Sequence, residues 1–328
     1  MILVRDRIIG TQRHVVKRAA AQAGAGLHRV LGSRSRDALG ILLYHGLAEE
    51  VPGVPSPLYN VRPARFRAQL EGLLERGYRF WPLARALRQH AAAQPCPPKT
   101  IVLTFDDGYE TVFTNGWPIL RALNIPATVF LATAFLDRDG PFPFDNWAVR
   151  HQHDVPRAAF RPMTTAQCAE LHASGLVELA AHTHTHQDFR ARPADFRQDL
   201  EQCVRYLQER FALAEVAFSF PYGKPALGYV DRELVRAAKL VGVTCGLTTE
   251  DVVVDRSADR FGWGRFNVYD FDSSSTIAAK LSGWYSWIPK IAALLSDTRV
   301  FAQLRNYSAI GLLAGGLARY SALMSMSV

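Results

Sequence analysis

Two acidic residues that could bind a cation or accept a proton stand at the end of an apolar run. Asp106 and Asp107, followed by Gly108, come directly after the apolar and β-branched run 101–105. Such a run is typical of a strand buried on both faces, and adjacent acids at its end are costly to bury unless a cation receives them. A helix cap or an Asp-Gly turn is the alternative, but it explains one acid more easily than two. The pair therefore indicates a metal site in which one carboxylate binds the ion and the other takes protons.

Three histidines follow a second strand-like run. Residues 175–181 lead into His182, His184 and His186, which alternate with threonines. Neutral imidazole is a preferred ligand of zinc and related ions, and histidines four apart can reach one ion if the backbone curls helically after the strand. An isolated histidine is more often structural, but three within five residues at the end of a strand favour a metal site.

The elements that must position these residues alternate between strand and helix. Strand-like runs are predicted at 38–44, 79–83, 101–105, 126–131, 175–181, 216–220, 243–247 and 260–268, with helices between most of them. Alternation at this spacing favours a parallel barrel or a doubly wound sheet, and in both folds ligands collect at the carboxyl ends of the strands. Segment 135–162, rich in Pro, Asp and aromatic residues, is predicted to be a long loop over the mouth of the site.

The two clusters together resemble the motifs of a known family. Thr104-Phe105-Asp106-Asp107-Gly108 followed by His182-Thr183-x-x-His186 is similar to the first two motifs of the polysaccharide deacetylases, the NodB homology domain of carbohydrate esterase family 4. The resemblance covers residues 40 to 269, approximately. It implies an α/β fold, a distorted (β/α) barrel with the site at the C-terminal ends of the strands. It also implies that Asp106 is the general base and that Asp107, His182 and His186 bind a divalent metal ion, expected to be Zn²⁺. The role of His184 is left open.

The reaction that the resemblance implies is hydrolysis of an acetamido group on a sugar. The substrate would be a polysaccharide or lipid-linked glycan that contains N-acetylhexosamine. Asp106 would take the proton of the attacking water, and a backbone N–H near Tyr222 would help to hold the oxyanion. An O-acetyl esterase with the same site is one alternative, and a catalytically silent carbohydrate-binding or assembly protein is the other. The intact set of Asp and His residues argues against the silent protein.

The chain departs from the family pattern at two positions. Ser219 stands two residues before Pro221 of the Pro-Tyr-Gly motif, where the family usually has an Arg. No histidine follows His186, although the fifth motif of the family usually supplies one as the general acid.

Both departures resemble a subgroup of exopolysaccharide deacetylases that has Tyr-His on the first strand and an Arg on the last. His45 and Arg265 fit those places. By elimination, His45 is the predicted acid, and Arg265 is predicted to hold the Asp106 carboxylate ionised and oriented. The alternatives are a core histidine bonded to the backbone for His45 and a surface salt bridge for Arg265. Three aromatic residues are predicted to stack on the sugar, with packing as the more frequent alternative for each: Trp147, Tyr222 and Trp263.

The composition separates a nearly neutral middle from basic ends. With 328 residues, 48% of them apolar and 21% charged, the chain is typical of a globular protein with one barrel and appendages. Of the net charge of +8, residues 1–40 contribute +6 and residues 281–328 contribute +3. The predicted domains are a basic helical extension (1–36), a catalytic domain (37–270) and a C-terminal helical extension (271–328).

The ends also bear on location and partners. No secretory signal and no run of about 18 apolar residues is recognisable, so a cytoplasmic location is expected. The basic N-terminal arm suits peripheral contact with the anionic inner face of a membrane, whereas a solvated arm or one packed on the barrel is the alternative. Nucleic acid is not expected as a partner, because the basic ends lack a module that reads it.

Overall fold

The computed structural model describes residue 22, residues 24–26, 38–151 and 153–284. The chain divides into two units, Ser35–Asp270 and the two ends taken together, Met1–Arg34 with Phe271–Val328. Most of the predicted basic arm and of the C-terminal extension lies outside the described residues, so the helical arm and its membrane contact stay predictions. In the part of the chain that is described, no helix has both the length and the apolar character needed to cross a membrane.

Eight parallel strands form one curled sheet in the larger unit. They are β1 (Gly40–Tyr44), β2 (Arg79–Phe80), β3 (Thr100–Phe105), β4 (Ala127–Leu131), β5 (Val177–Ala181), β6 (Phe218–Ser219), β7 (Gly246–Leu247) and β8 (Phe266–Asn267). The strand order is β7-β6-β5-β4-β3-β1-β8, and β2 pairs with the first half of β3. A parallel bridge between Leu247 and Trp263 joins β7 to the segment that leads into β8, which draws the two edges of the sheet together. The predicted distorted (β/α) barrel is confirmed.

Helices connect most of the strands. They are α1 (Pro63–Glu75), α2 (Leu83–Ala91), α3 (Trp117–Leu123), α4 (Asn146–His151), α5 (Thr165–Ala173), α6 (Pro193–Phe211) and α7 (Arg232–Val241), with α8 (Ser274–Ala279) in the smaller unit. Their starts follow from local chemistry, because proline occupies the first turn of α1 and α6 and Thr164 forms a capping box with Gln167 at α5. Segment 135–162, predicted as a long loop, is not a loop throughout, since α4 and a 3-10 turn at Arg157–Ala159 lie within it.

Apolar side chains fill the inside of the barrel below the carboxyl ends of its strands. Ile41, Val102, Phe130, Ala180 and Leu247, one from each of five strands, belong to a single buried cluster. Because the interior is packed, polar side chains that follow the strands are displayed at the end of the barrel where the strands finish.

Candidate active site

The strand registers bring the chemically active residues to one level. Tyr44 of β1 is paired with Phe105 of β3, and the Asp106 N–H donates to the Tyr44 carbonyl at 3.1 Å. His45 and Asp106 are therefore the first residues beyond two neighbouring strands. On the other side of β4, the N–H of His182 donates to the carbonyl of Leu131 at 3.0 Å, which fixes the start of the histidine cluster at the same end.

Three predicted metal ligands converge in this structure. One ligand atom from each of Asp107, His182 and His186 lies within 4.8 Å of the others. The Oδ1 atom of Asp107 is 3.5 Å from Nε2 of His182 and 3.4 Å from Nε2 of His186. All three side chains are buried, which is costly for polar groups that have no partner.

The donor chemistry of His182 shows that this set fits a cation. Its Nδ1 atom lies 2.8 Å from the Ser219 carbonyl, which can only accept, so Nδ1 carries the proton and Nε2 offers a lone pair. Nε2 of His182 lies 3.5 Å from Oδ1 of Asp107, which is longer than a normal hydrogen bond. A cation between the two would satisfy both, and the hydrogen bond from Nδ1 is the support that metal-bound histidines usually have.

Backbone strain accompanies the ligands. Asp107, Thr183 and His186 have φ angles of +70°, +62° and +52°, in the left-handed region that residues other than glycine seldom adopt. Next to Asp107, Gly108 has a φ of +89°, and a Cβ there would come within 2.7 Å of the Leu131 side chain. Both motif loops are therefore held in conformations that the surrounding structure must enforce.

His184 lies outside the ligand set. Its Nδ1 atom is 2.9 Å from the hydroxyl of Thr133, and its N–H donates to Asp199 of α6 at 2.6 Å. The N–H and hydroxyl of Thr185 also donate to Asp199. This pattern anchors the turn between the two ligating histidines, so His184 has a structural position and no contact with the metal set.

Asp106 forms a buried ion pair with Arg265. The guanidinium donates to both carboxylate oxygens, at 2.6 Å from Nη1 and 2.7 Å from Nη2, and Arg265 is fully buried. It also donates to the Ser219 hydroxyl and, through Nε, to the Thr248 carbonyl. The alternative of a surface salt bridge for Arg265 is therefore wrong.

The two adjacent aspartates have opposite pKa shifts. Burial alone would raise the pKa of Asp106, but the charge and hydrogen bonds of Arg265 outweigh it and hold the pKa below its usual range. Burial and the Asp106 charge raise the pKa of Asp107 well above its usual range. Asp106 is thus stable as a carboxylate, whereas Asp107 needs a cation to stay ionised.

Ser219, on β6, contacts both members of the ion pair between Arg265 and Asp106. Its hydroxyl accepts from Arg265 at 2.6 Å and lies 3.4 Å from Oδ2 of Asp106, while its carbonyl accepts from His182. A small side chain at this position of β6 leaves room for the guanidinium that arrives just before β8. Arg265 therefore compensates in space for the arginine that the sequence lacks at position 219.

Comparisons with known proteins relate this sequence to polysaccharide deacetylases. The sequence profile described as polysaccharide deacetylase matches residues 93–246. The poly-β-1,6-N-acetyl-D-glucosamine N-deacetylase of Staphylococcus epidermidis is 23% identical over 235 residues, which cover 69% of this chain and 73% of that protein. The chain contains a polysaccharide deacetylase domain.

Two further relatives show how much of the chain is similar to known proteins. The Escherichia coli poly-β-1,6-N-acetyl-D-glucosamine N-deacetylase is 29% identical over 193 residues, which cover 50% of this chain but 28% of that protein. The structure of IcaB from Ammonifex degensii aligns with a TM-score of 0.60 and 24% identity over 76% of this chain and 97% of that one. The structural likeness shows that the deacetylase domain shares the fold of IcaB.

His45 follows directly after β1 and lies close enough to Asp106, Arg265 and His182 to sense their charges. Its ring packs against Tyr59, with ring centroids 4.9 Å apart. Burial lowers its pKa to about 4; the negative charge of Asp106 opposes this shift, and the positive charge of Arg265 adds to it. His45 is therefore neutral at pH 7.

The three aromatic residues predicted to stack on sugar lie in different environments. Trp147 is 3% exposed and donates to the Pro55 carbonyl, and Trp263 is 1% exposed inside the barrel cluster, so neither offers a face to a ligand. Tyr222 is 42% exposed, and its ring lies 5.0 Å from that of His186. Only Tyr222 of the three is placed by this structure beside the metal set.

Two residues at the site carry no recognisable signal in the sequence. Tyr59 is 39% exposed beside His45, and Phe144 stacks on His186 with ring centroids 4.0 Å apart. Both come from irregular segments without periodicity. For Phe144 the sequence offers one indication, the number of aromatic residues in 135–162.

Proposed function

We propose that this deacetylase domain is a metal-dependent hydrolase that removes N-acetyl groups from a polysaccharide containing N-acetylhexosamine. The observation that carries the proposal is the acceptor set of Asp107, His182 and His186 beside Asp106, whose carboxylate Arg265 holds. A cation site next to an ionised, oriented carboxylate is suited to activating water against an acyl group. The names of the relatives support a polymer of N-acetylglucosamine as the substrate.

Zinc is the ion that we propose for the acceptor set. Two imidazole nitrogens and one carboxylate oxygen form a ligand set that zinc hydrolases use, with further positions open to water and substrate. When bound, zinc supplies Lewis acidity, which polarises an acyl carbonyl and lowers the pKa of a coordinated water to about 7. The chain contributes the fixed direction of the ligands, above all the His182 tautomer set by the Ser219 carbonyl.

Asp106 is the proposed general base. Arg265 keeps it ionised and fixes both of its oxygens, so a lone pair is available to the proton of an attacking water. A carboxylate with a lowered pKa is a weak base, so its orientation must supply much of its effect.

His45 is the proposed donor to the leaving amine. A neutral His45 has no additional proton to give in the resting enzyme, since its pKa is about 4. Asp106, at the end of the neighbouring strand, holds a proton after it has accepted one from water. The proposed sequence is therefore transfer from water to Asp106, then through His45 to the amine nitrogen, which restores both side chains.

The exposed tyrosines are the proposed sugar contacts. Tyr222 adjoins His186 and Tyr59 adjoins His45, so one exposed ring borders the metal set and the other borders the proposed acid. Aromatic faces of this kind bind the apolar face of a sugar ring.

Acetate release decides between N-deacetylation and the O-acetyl alternative. Metal-stripped protein would be reloaded with zinc and assayed on β-1,6-linked N-acetylglucosamine oligomers and on O-acetylated xylan. We expect zinc-dependent release from the amino-sugar oligomers, and an Asp106→Asn variant should keep zinc but lose about 10²–10⁴-fold in kcat. Faster release from xylan would favour the esterase. No release from either substrate by zinc-loaded protein, or equal rates for Asp106→Asn, would contradict the proposed function.

A further inference from the structure

The two histidines of the metal set are supported in different ways. The Nδ1 atom of His182 donates to the Ser219 carbonyl, as expected for a metal ligand. The Nδ1 atom of His186 is buried and, among the described residues, has no hydrogen-bond partner. Some other contact must therefore fix the plane of the His186 imidazole.

Two aromatic rings pack against that imidazole. Phe144 stacks on it with a centroid distance of 4.0 Å and an interplanar angle of 27°. Tyr222 meets it at 5.0 Å and 61°, close to an edge-to-face arrangement. Flat stacking restricts rotation about the side-chain torsion of histidine, because a turned ring would collide with Phe144.

Two further phenylalanine rings pack against Phe144. Phe142, which is fully buried, stacks on it at 5.1 Å and 27°, and Phe135 meets it edge-on at 5.8 Å. Phe142 also packs edge-to-face against Tyr109 at 4.9 Å. The stack from Phe142 through Phe144 to His186 is thus continuous.

The same segment is tied to the other metal-binding loop. The hydroxyl of Tyr109 donates to Asp145 at 2.7 Å, and Tyr109 follows Asp107 by two residues. Residues 142–145 therefore connect the loop that carries the aspartate ligand with the ring of the second histidine ligand.

We propose that Phe144 is a positioning residue that orients His186 for metal binding, in place of the hydrogen bond that supports His182. The inference rests on the metal binding of the proposed function, but not on the identity of the substrate. Phe144 would act through His186, and its contribution would appear in the affinity for metal before any turnover.

The test measures zinc affinity by competition with a chelator, together with the visible spectrum of the cobalt-substituted protein. Phe144→Ala should weaken zinc binding about 10-fold, the lower end of the range for supporting contacts of metal ligands, and should change the cobalt spectrum. Phe144→Tyr retains the ring and should bind zinc as tightly as the unaltered protein. Phe144→Leu retains bulk without a flat face, so it should also bind more weakly.

Val149→Ala is the matched control, because Val149 lies in the same segment but is 66% exposed. If Phe144→Ala does not fold, as judged by circular dichroism, the comparison of Phe144→Leu with Phe144→Tyr gives the answer. Equal zinc affinity in the Leu and Tyr variants would overturn the inference. Failure of the unaltered protein to bind zinc would instead overturn the proposed function, so the two failures are distinguishable.

Discussion

Replacing Arg265 by methionine should destabilise the protein and change the pH dependence of its activity. Arg265 is fully buried and donates to both oxygens of Asp106, so Arg265→Met leaves a buried carboxylate without its arginine partner. Removing one partner of a buried ion pair costs about 3–5 kcal/mol in the free energy of unfolding. The loss should appear in urea unfolding of the metal-free protein, where no cation can replace the guanidinium.

The effect on activity follows from the competing influences on the pKa of Asp106. Burial raises this pKa and Arg265 lowers it, so the variant should have a raised pKa. A carboxyl that is protonated at neutral pH cannot accept a proton from water. In zinc-loaded protein the acidic limb of the plot of kcat against pH should therefore move to higher pH. Each shift of this limb by one pH unit would correspond to about 1.4 kcal/mol of lost preference for the ionised form of Asp106.

Arg62 offers a matched control on the surface. It also donates to both oxygens of a carboxylate, that of Asp270, through Nε and Nη2, but its side chain is 38% exposed. Arg62→Met should cost about 1 kcal/mol or less and leave the pH profile unchanged. If Arg265→Met lost the same fraction of activity at every pH, with the acidic limb unmoved, Arg265 would not be the group that keeps Asp106 ionised.

Two further predictions concern stability. The pKa of His45 is about 4 in the folded protein and about 6.5 when unfolded, so below pH 6.5 the unfolded chain binds a proton that the folded one does not. His45 should therefore lower the free energy of unfolding of the metal-free protein by about 2 kcal/mol between pH 7 and pH 5. The His45→Gln variant lacks this group, so its free energy of unfolding in urea should fall by about 2 kcal/mol less over the same pH range. Glu178 accepts from the N–H groups of Leu83 and Ala84 at the start of α2 and from the Thr128 hydroxyl. Glu178→Ala should cost about 1–3 kcal/mol in the same assay, and no loss would show that water replaces these bonds.

The sequence predicted most reliably those elements whose ends have their own chemistry. The sequence predicts helices over 117–123 and 193–211, and α3 and α6 have these bounds; proline lies in the first turn of each and favours its start there. For β6 and β8, by contrast, the sequence predicts longer strands than the structure has. The run 216–220 forms a strand only at Phe218–Ser219, and 260–268 only at Phe266–Asn267. An apolar run indicates that its residues are buried. Whether they form a strand depends on backbone hydrogen bonds to a neighbouring strand, and these depend on how the sheet curls.

The metal set could be predicted from the sequence because its members follow strands that end at the same level. The supporting contacts could not, since they join distant segments. Phe144 reaches His186 across 42 positions of the chain, and nothing in the local pattern of 135–162 distinguishes it from Phe142 or Phe135. Such contacts exist only once β4 and β5 have fixed where each loop begins.

The position of Arg265 shows why single motif positions are poor guides to a site of this kind. A guanidinium is needed where it can pair with Asp106, but the strand that supplies it is not fixed by the chemistry. The Leu247–Trp263 bridge brings the chain that enters β8 beside β7, so an arginine there reaches Asp106, and Ser219 is small enough to accept it. An arginine at position 219 together with Arg265 would place two buried cations against one carboxylate. Ser219 and Arg265 are therefore physically coupled: a small side chain at position 219 leaves room for Arg265, and Arg265 makes an arginine at position 219 unfavourable.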